Sequence, residues 1–270
     1  MTFASEVLTL ESDAGVATLW LDSPERRNAM GPDFWSDLPK AMQVVRDDDD
    51  VRAVVIAAKG TAFTVGLDLK TMLQHDRQGS EVQRRQQLYR EIRTLQGSIT
   101  AVADCPKPVI AAIHGYCIGG GIDLITACDV RLASADTTFS VRETRIAIVA
   151  DVGTLQRLPK IISKGHVAEL VYTGKDVTAE RAAQIGLVND VYPDAETTYS
   201  AAQTMAREIA ANSPLAVQGS KAVLRAGDGR TVEEALDYVA LWNSSFLNSN
   251  DLTEAFTAFQ EKRAPTFKGD

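Results

Sequence analysis

The chain has 270 residues, of which 45% are hydrophobic and 24% are charged, and its formal net charge is −8 at pH 7. This composition is typical of a soluble globular protein and argues against a disordered chain, and the length fits one large α/β domain or a core with a small appendage. The negative charge argues against broad binding to nucleic acid or to an anionic membrane surface. A few basic residues and helix N-termini are still enough to bind a small anionic ligand.

The N-terminal part of the chain alternates predicted strands with predicted helices. A turn at Asp13-Ala14-Gly15 precedes a strand over Val16–Leu21, and a polar loop follows that strand. Apolar residues at helical spacing predict a long amphipathic helix over Glu81–Ala103. The other elements predicted before it are a helix that carries Phe34, Leu38, Met42 and Val45, a strand over Val51–Ala57 and a short helix over Leu69–Leu73.

The stretch around Gly119–Gly121 carries the strongest functional signal. The apolar run Pro108–Ile113 predicts a buried strand, and Ile122, Leu124 and Ile125 begin a helical pattern soon after it. Glycines let a ligand atom approach the backbone, and the first N–H groups of a helix have no intrahelical partner. The turn is therefore predicted to bind an anion, or an oxygen that becomes one, unless it serves only close strand–helix packing. Its spacing does not match the GxGxxG dinucleotide loop.

Three of the carboxylates that follow this turn are candidates for its chemistry, Asp123, Glu143 and Asp151. An oxyanion-binding turn near several carboxylates indicates enolate chemistry, in which a proton leaves the carbon beside a carbonyl. Each residue also has a structural interpretation. Asp123 is a favourable acid for the first turn of a helix, Glu143 can be an exposed residue paired with a neighbouring arginine, and Asp151 can be the N-cap of the next helix.

The C-terminal part of the chain is predicted to be mostly helical. It begins with two short strands, at Val130–Ala133 and Thr138–Val141. The helices predicted after residue 163 are Val167–Tyr172, Ala179–Ile185, Ala195–Ala211, Pro214–Ala226, Val232–Phe246 and Leu252–Glu261. The sequence shows no internal repeat or low-complexity linker, so it divides into an α/β core over residues 1–195 and a helical region over residues 196–270.

The remaining sequence features predict a cytoplasmic protein without a metal site. Cys105, Cys117 and Cys128 lie in apolar contexts and are interpreted as reduced core thiols, and the three histidines form no HExxH motif. The N-terminus has no basic segment followed by an apolar run. No apolar run approaches the ~20 residues that a membrane helix needs.

Five stretches form a specific combination when their order and spacing are considered together. They are Leu21-Asp22-Ser23-Pro24 with Asn28-Ala29-Met30, Ala62 to Leu69, Lys107 to Asp129, Gly186-Leu187-Val188, and Glu261 to Phe267. On these residues the sequence resembles the crotonase family, also called the enoyl-CoA hydratase/isomerase superfamily. The resemblance covers nearly the whole chain.

This resemblance implies an α/β fold, the crotonase (ClpP-like) spiral of ββα units. It also implies a C-terminal helical region for trimerisation and active-site cover, and a homotrimer or a dimer of trimers. The implied substrate is an acyl-CoA thioester whose oxygen is held by two backbone N–H groups, and the matching positions of this oxyanion hole are Leu67 and Gly120. The positions that match the family's substrate and CoA contacts are Arg26, Arg27, Thr64, Val65, Gly66, Leu67, Asp68 and Gly120.

Within the family, the residues from Gly119 to Asp129 and from Ala150 to Lys160 resemble the Δ3,5-Δ2,4-dienoyl-CoA isomerases. Typical hydratases have glutamate in place of Asp123 and glycine in place of Asp151. The resemblance to the isomerases implies that Asp123, Glu143 and Asp151 are catalytic. Glu143 would take a proton from C2, Asp151 would supply one to C6, and Asp123 would orient or polarise the pair.

The expected reaction is the isomerisation of 3,5-dienoyl-CoA to 2,4-dienoyl-CoA in fatty-acid β-oxidation, with no cofactor besides the CoA of the substrate. Arg145 and Val149 depart from the isomerase pattern, which leaves the acyl-chain preference open. One alternative is an enoyl-CoA hydratase, in which two carboxylates flank a water that adds at C3. Another is a non-catalytic acyl-CoA-binding subunit. Asp151 discriminates between the two enzymes, because only the isomerase should lose most of its turnover on Asp151→Asn.

Overall fold

The computed structural model describes residues 2–72 and 78–270. Within this part of the chain, strands form a large sheet with the order β1-β2-β3-β4-β5-β7-β10 and a small sheet with the order β6-β8-β9. The strands of the large sheet are β1 (Phe3–Ala4), β2 (Leu8–Asp13), β3 (Val16–Leu21), β4 (Ala53–Ala58), β5 (Val109–Ile113), β7 (Val130–Ser134) and β10 (Asp190–Tyr192). Those of the small sheet are β6 (Tyr116–Ile118), β8 (Thr138–Ser140) and β9 (Val177–Thr178).

The large sheet combines an antiparallel edge with a parallel centre. Strands β2 and β3 form a hairpin, and its turn residues Ala14 and Gly15 have φ angles of 47° and 81°. Positive φ at both turn positions matches the twist of a tight hairpin. From β3 through β4, β5 and β7 to β10 the pairing is parallel. Every residue of β4 and β5 is buried, as expected for parallel strands covered on both faces.

Helices cover both faces of the large sheet. The α-helices of the described residues are α1 (Pro32–Asp47), α2 (Leu69–Met72), α3 (Glu81–Ala103), α4 (Gly120–Ala127), α5 (Thr154–Arg157), α6 (Lys164–Thr173), α7 (Ala179–Gln184), α8 (Ala195–Ala210), α9 (Pro214–Ala226), α10 (Val232–Phe246) and α11 (Asn250–Glu261). None of the described helices is long and apolar enough to cross a membrane.

Alternation along each central strand separates two apolar layers. Val54 and Ile56 of β4 point into the main core, together with residues of α1, α3 and α4. Val55 lies between them in sequence and packs with Ala202 and Ala206 of α8 on the opposite face. This is the two-residue period of a strand. Since α8 packs directly on the sheet, it is part of the layered core, and the domain division at residue 195 stays a prediction.

The predicted elements agree with the structure where the periodic pattern is long. Strand β3 and helices α3, α9 and α10 have the predicted bounds. Strands β1, β2, β6, β9 and β10 were not predicted, because they are short or show alternation over only a few residues. The short helix predicted over Leu69–Leu73 is α2, and Leu73 lies outside the described residues.

Candidate active site

The loop over residues 64–68 lies directly against the glycine turn. Gly66 has a φ of +82°, and a Cβ there would lie 2.5 Å from the carbonyl oxygen of Ile118 and 3.2 Å from the backbone nitrogen of Gly120. A Cβ on Gly120 would in turn lie 2.8 Å from the sulfur of Met30. The two backbones therefore approach as closely as they do only because both residues are glycine.

The hydrogen bonds of Met30 fix which way the peptide groups of Leu67 point. The Met30 N–H donates to the carbonyl of Gly66 over 2.8 Å, and the Asp68 N–H donates to the carbonyl of Met30 over 3.1 Å. In this parallel bridge the N–H of Leu67 points away from Met30. Among the described residues, neither the Leu67 N–H nor the Gly120 N–H has a protein acceptor. The backbone N–H groups of Leu67 and Gly120 are therefore both available to donate a hydrogen bond to a ligand.

Hydrogen bonds from buried polar side chains stabilise the loop over residues 64–68. The Asn28 amide donates to the carbonyls of Lys59 (3.0 Å) and Ala62 (2.8 Å). The Thr64 hydroxyl donates to the carbonyl of Asn28 (2.6 Å) and accepts from the Gly66 N–H (3.0 Å). Thr64 is fully buried, so its side chain shapes the loop from within.

A cavity of about 590 Å³ opens beside the loop and the glycine turn. It has one polar wall and one apolar wall. The polar wall includes Asp123, Glu143 and Asp151, and Leu67 and Gly120 also line the cavity. The apolar wall includes Trp35, Leu88, Ile92, Leu95, Ile146 and Ile148. A ligand with a long apolar portion and one reactive polar end fits this division.

Asp123 is a buried acceptor that joins two helices. It lies in the first turn of α4 and is 2% exposed. Its Oδ1 accepts hydrogen bonds from the backbone N–H of Thr154 (2.6 Å) and from the Thr154 hydroxyl (2.7 Å). Burial raises the pKa of Asp123 to about 6, and the two hydrogen bonds oppose this rise. Asp123 therefore caps the start of α5, the role that the structural interpretation gave to Asp151.

Glu143 lies at the start of the 3₁₀ turn Glu143–Ile146, with its carboxyl in the cavity. Its Oε2 is buried and has no hydrogen-bond partner among the described residues. Burial raises the pKa of Glu143 to about 7, and the charges of Asp123 and Asp151 contribute to the rise. The neighbouring Arg142 is paired with Asp176 instead. The interpretation of Glu143 as an exposed residue paired with an arginine is therefore wrong.

Asp151 is half-buried in the segment between the 3₁₀ turn and α5. Burial raises the pKa of its carboxyl above the ordinary value. Its backbone carbonyl accepts a hydrogen bond from the side-chain amide of Gln96 on α3 over 2.6 Å. The positions of Gln96 and Thr154 beside these carboxyl groups are not evident from the sequence. Their partners lie 55 and 31 residues away along the chain, and no local pattern indicates such pairs.

The two arginines predicted to bind CoA lie outside the cavity but adjoin its loop. Arg27 is exposed, has a φ of +49°, and accepts a hydrogen bond at its carbonyl from the Val65 N–H over 3.2 Å. The guanidinium of Arg26 lies 3.9 Å from the carboxylate of Asp68. That carboxylate also accepts from the Lys70 N–H over 3.0 Å, so it stabilises the end of the loop. Of these residues, only Val65 lines the cavity.

The described residues contain no group of three or more histidine, cysteine, aspartate or glutamate side chains arranged to hold a metal ion. The three cysteines are buried and unpaired by disulfides. Burial raises the pKa of the Cys128 thiol to about 12 and that of Cys117 well above its ordinary value. These thiols are therefore neutral at physiological pH, as expected for core residues.

Comparison with known proteins gives one consistent result. The profile of the enoyl-CoA hydratase/isomerase family matches residues 11–270. The mitochondrial Δ3,5-Δ2,4-dienoyl-CoA isomerase of Dictyostelium discoideum is 44% identical over 256 residues, covering 94% of this chain and 87% of that protein. The peroxisomal isomerase of Arabidopsis thaliana is 42% identical over 266 residues, covering 97% and 96%. The crystal structure of an enoyl-CoA hydratase from Bacillus anthracis superimposes with a TM-score of 0.91 at 28% identity, covering 98% and 100%.

These comparisons confirm the predicted fold and correct one prediction. The structural likeness extends over nearly the whole chain, which confirms the crotonase-type α/β spiral. The prediction of a cytoplasmic protein is wrong, because the isomerases at 42–44% identity are mitochondrial or peroxisomal proteins. That prediction rested on the terminal sequences and on buried cysteines. A thiol buried in an apolar core is protected from oxidants in any cellular compartment. Its reduced state therefore does not identify the compartment of the protein.

Proposed function

This chain belongs to the enoyl-CoA hydratase/isomerase family, and we propose that it converts 3,5-dienoyl-CoA to 2,4-dienoyl-CoA in fatty-acid β-oxidation. The observation that carries this proposal is that Asp123, Glu143 and Asp151 line the same cavity as the backbone of Leu67 and Gly120. Isomerisation needs two proton-transferring groups and a site for enolate charge. The similarity to proteins named Δ3,5-Δ2,4-dienoyl-CoA isomerase supports this reaction over hydration.

In the proposed mechanism, the N–H groups of Leu67 and Gly120 donate to the thioester oxygen. Both donors adjoin the cavity and lack a protein acceptor among the described residues. Backbone donors held by a rigid scaffold need no reorganisation as negative charge develops on the oxygen. They therefore stabilise the dienolate more than they stabilise the substrate.

Glu143 is the proposed base, and Asp151 is the proposed acid. Glu143 takes a proton from C2, and the electrons of the broken C2–H bond spread over the thioester oxygen, C2, C4 and C6. Asp151 then gives its proton to C6, which leaves double bonds at C2 and C4. The carboxylate of Glu143 suits the first step, since its buried Oε2 has no partner in the described part of the chain and its pKa is raised to about 7.

The two carboxyl groups must return to their starting protonation states after each cycle. Glu143 ends protonated and Asp151 ends ionised, so a proton passes back between them directly or through water. Burial raises the pKa of both carboxyl groups, and the charge of Asp151 adds to the rise at Glu143. The pair therefore titrates as a coupled unit. The reaction is redox-neutral, and we propose that it uses no cofactor besides the substrate's CoA.

The rest of the substrate extends in two directions from the reacting carbons. The apolar wall from α3 and the turn after Glu143 receives the acyl chain. The loop over residues 64–68 contacts the thioester end, and Arg26 and Arg27 supply positive charge for the CoA phosphates. Support for this assignment comes from the exposure of Arg27 and its backbone bond to Val65.

We also propose that the chain assembles as a homotrimer, singly or as a pair of trimers. The support is helix α10, which buries none of its residues in the isolated chain. Val232 and Leu236 on this helix are 78% and 60% exposed. Val232, Leu236, Ala240 and Leu247 recur at helical spacing and form an apolar stripe on one face. Exposed apolar residues clustered on one helix face, interrupted here by Asn243, are typical of an interface.

An ultraviolet assay of the purified protein tests the proposed reaction. Wild-type protein should produce the conjugated 2,4-dienoyl-CoA chromophore from a 3,5-dienoyl-CoA, and Asp151→Asn should lower turnover by about 10²- to 10⁴-fold. Asp190→Asn is the matched control, because Asp190 is exposed on β10. Hydration of a 2-enoyl-CoA that survives Asp151→Asn, without diene isomerisation, would replace the proposal with hydratase activity.

A further inference from the structure

Thr154 and Asp123 form a short, buried polar contact beside the cavity. Both donors of Thr154, its backbone N–H and its hydroxyl, are directed to the same oxygen, Asp123 Oδ1, at 2.6 and 2.7 Å. Thr154 is fully buried and Asp123 is 2% exposed. The bonds therefore have no competition from bulk water. They connect α4, whose first residue is Gly120, to the segment that follows Asp151.

The charged groups around Asp123 come from several elements. Arg157 on α5 is the cation that lowers its pKa, and Asp151 raises it. Glu143 interacts with Asp123 electrostatically: burial raises the pKa of Glu143, and the charge of Asp123 raises it further. Helix α3 contributes Glu91 to the same cavity wall.

The segment between Asp151 and Thr154 is held closely on its other side as well. The Arg157 guanidinium folds back over Gly153, whose φ is +138°, and a Cβ on Gly153 would lie 1.8 Å from Arg157 Nη1. The same guanidinium donates to the hydroxyl of Thr100 on α3 over 3.0 Å. The position of Asp151 thus depends on contacts made by the residues that follow it.

We propose that Thr154 is a positioning residue of the isomerase site: its two hydrogen bonds anchor Asp123 and hold the segment that carries Asp151 against the helix beginning at Gly120. In this arrangement Asp123 does not exchange a proton with the substrate. It sets the distance between the oxyanion donor of Gly120 and the acid at C6. The inference rests on the proposed function for its kinetic consequence, but the contact itself can be tested without substrate.

Thr154→Val is the main test, because it keeps the shape and the backbone N–H but removes the hydroxyl. We expect kcat to fall about tenfold, the scale of one lost hydrogen bond to a charged group, with little change in KM. Thr154→Ser keeps the hydroxyl and should retain most of the wild-type activity. Thr154→Ala provides a second hydroxyl-free variant if Thr154→Val does not fold.

The pH profile gives a readout that a packing defect would not produce. Loss of the hydroxyl removes an interaction that favours ionised Asp123, so the pKa of Asp123 should rise from about 6. Asp123 then remains neutral to higher pH and repels the charge of Glu143 less. The acid limb of the kcat/KM profile should therefore move to lower pH in Thr154→Val and stay in place in Thr154→Ser.

Carboxyl ¹³C NMR of the substrate-free protein separates this inference from the proposed function. Asp123→Asn identifies the Asp123 resonance, and Thr154→Val should shift its titration upward whether or not the protein isomerises dienes. If wild-type protein lacks isomerase activity but the titration shifts, the proposed function fails and the anchoring contact stands. An unchanged titration in Thr154→Val, or equal loss of kcat in Thr154→Ser and Thr154→Val, would overturn the inference.

Discussion

The side-chain amide of Gln96 donates to the backbone carbonyl of Asp151 over 2.6 Å. This bond ties the middle of α3 to the segment that carries the proposed acid. The same helix contributes Leu88, Ile92 and Leu95 to the apolar wall of the cavity. Helix α3, proposed to contact the acyl chain, and the segment of Asp151, proposed to protonate C6, are therefore joined by this bond. If both roles hold, the depth of chain binding is coupled to the position of the acid.

Gln96→Ala should weaken this coupling. The carbonyl of Asp151 would lose its donor in a half-buried place, which costs about 1 kcal/mol, and kcat should fall by about three- to tenfold. Gln86→Ala is the control, because Gln86 is exposed on the same helix. Steady-state kinetics on a 3,5-dienoyl-CoA measures the effect. Equal kinetics in the two variants would show that the bond does not position Asp151.

Glu143→Gln should stabilise the fold while it removes the proposed base. The pKa of Glu143 is raised from 4.5 to about 7 in the folded protein. Its contribution to stability is therefore fully present below about pH 4.5 and is lost as the pH rises through about 7, where the buried group must ionise. At pH 8 the neutral glutamine avoids this cost, and we expect a gain of about 1 to 3 kcal/mol in the free energy of unfolding.

Thermal unfolding of wild type and Glu143→Gln at pH 8 and pH 4 measures this difference. The advantage of the variant should be present at pH 8 and absent at pH 4. Glu208→Gln controls for the loss of one negative charge, since Glu208 is exposed on α8. A gain of the same size in both variants would indicate a net-charge effect and not the burial of Glu143.

Gly66→Ala should distort the proposed oxyanion hole. Its φ of +82° is unfavourable for alanine, and the added methyl would lie 2.5 Å from the Ile118 carbonyl oxygen. We expect a loss of about 1 to 3 kcal/mol in the free energy of unfolding and a fall in kcat of at least about tenfold. Circular dichroism melts and the diene assay measure the two effects.

The comparison for this substitution is Gly97→Ala. Gly97 lies inside α3, and a Cβ there would meet no atom within 4 Å. Alanine has the higher helix propensity, so this variant should gain about 0.5 to 1 kcal/mol and keep wild-type kcat. If Gly66→Ala behaved in the same way, the close approach of the loop to Ile118 would not be required for activity.

The local parts of the fold were predictable from the sequence because their causes are local. Helix α3 begins where Ser80 and Gln83 form a capping box, and its apolar residues recur at helical spacing up to Ala103. The predicted positions of Asp123 and Glu143 in one cavity follow from the family resemblance and agree with the structure. Their roles in catalysis stay predictions.

The environment of each carboxyl was not predictable, since it depends on residues far away along the chain. Asp151 looks like an N-cap in sequence because a helix follows it closely, yet the cap comes from Asp123 on another helix. Glu143 has arginines on its own segment, and only the folded chain turns its carboxyl away from them into the cavity. Sequence spacing cannot show whether a carboxyl group binds a neighbour along the chain or a distant residue, because the local sequence pattern is the same in the two cases.

Leu236→Glu should disrupt the proposed trimer. Leu236 is 60% exposed at the centre of the apolar stripe on α10. A buried carboxylate without a partner in an interface is strongly unfavourable, so sedimentation velocity should show a shift from trimer or hexamer towards monomer. Ser245→Glu places the same charge on the opposite face of α10, where Ser245 is exposed, and should leave assembly unchanged. If Leu236→Glu assembled like wild type, the stripe would not be the interface, and a monomeric wild-type protein would refute the trimer itself.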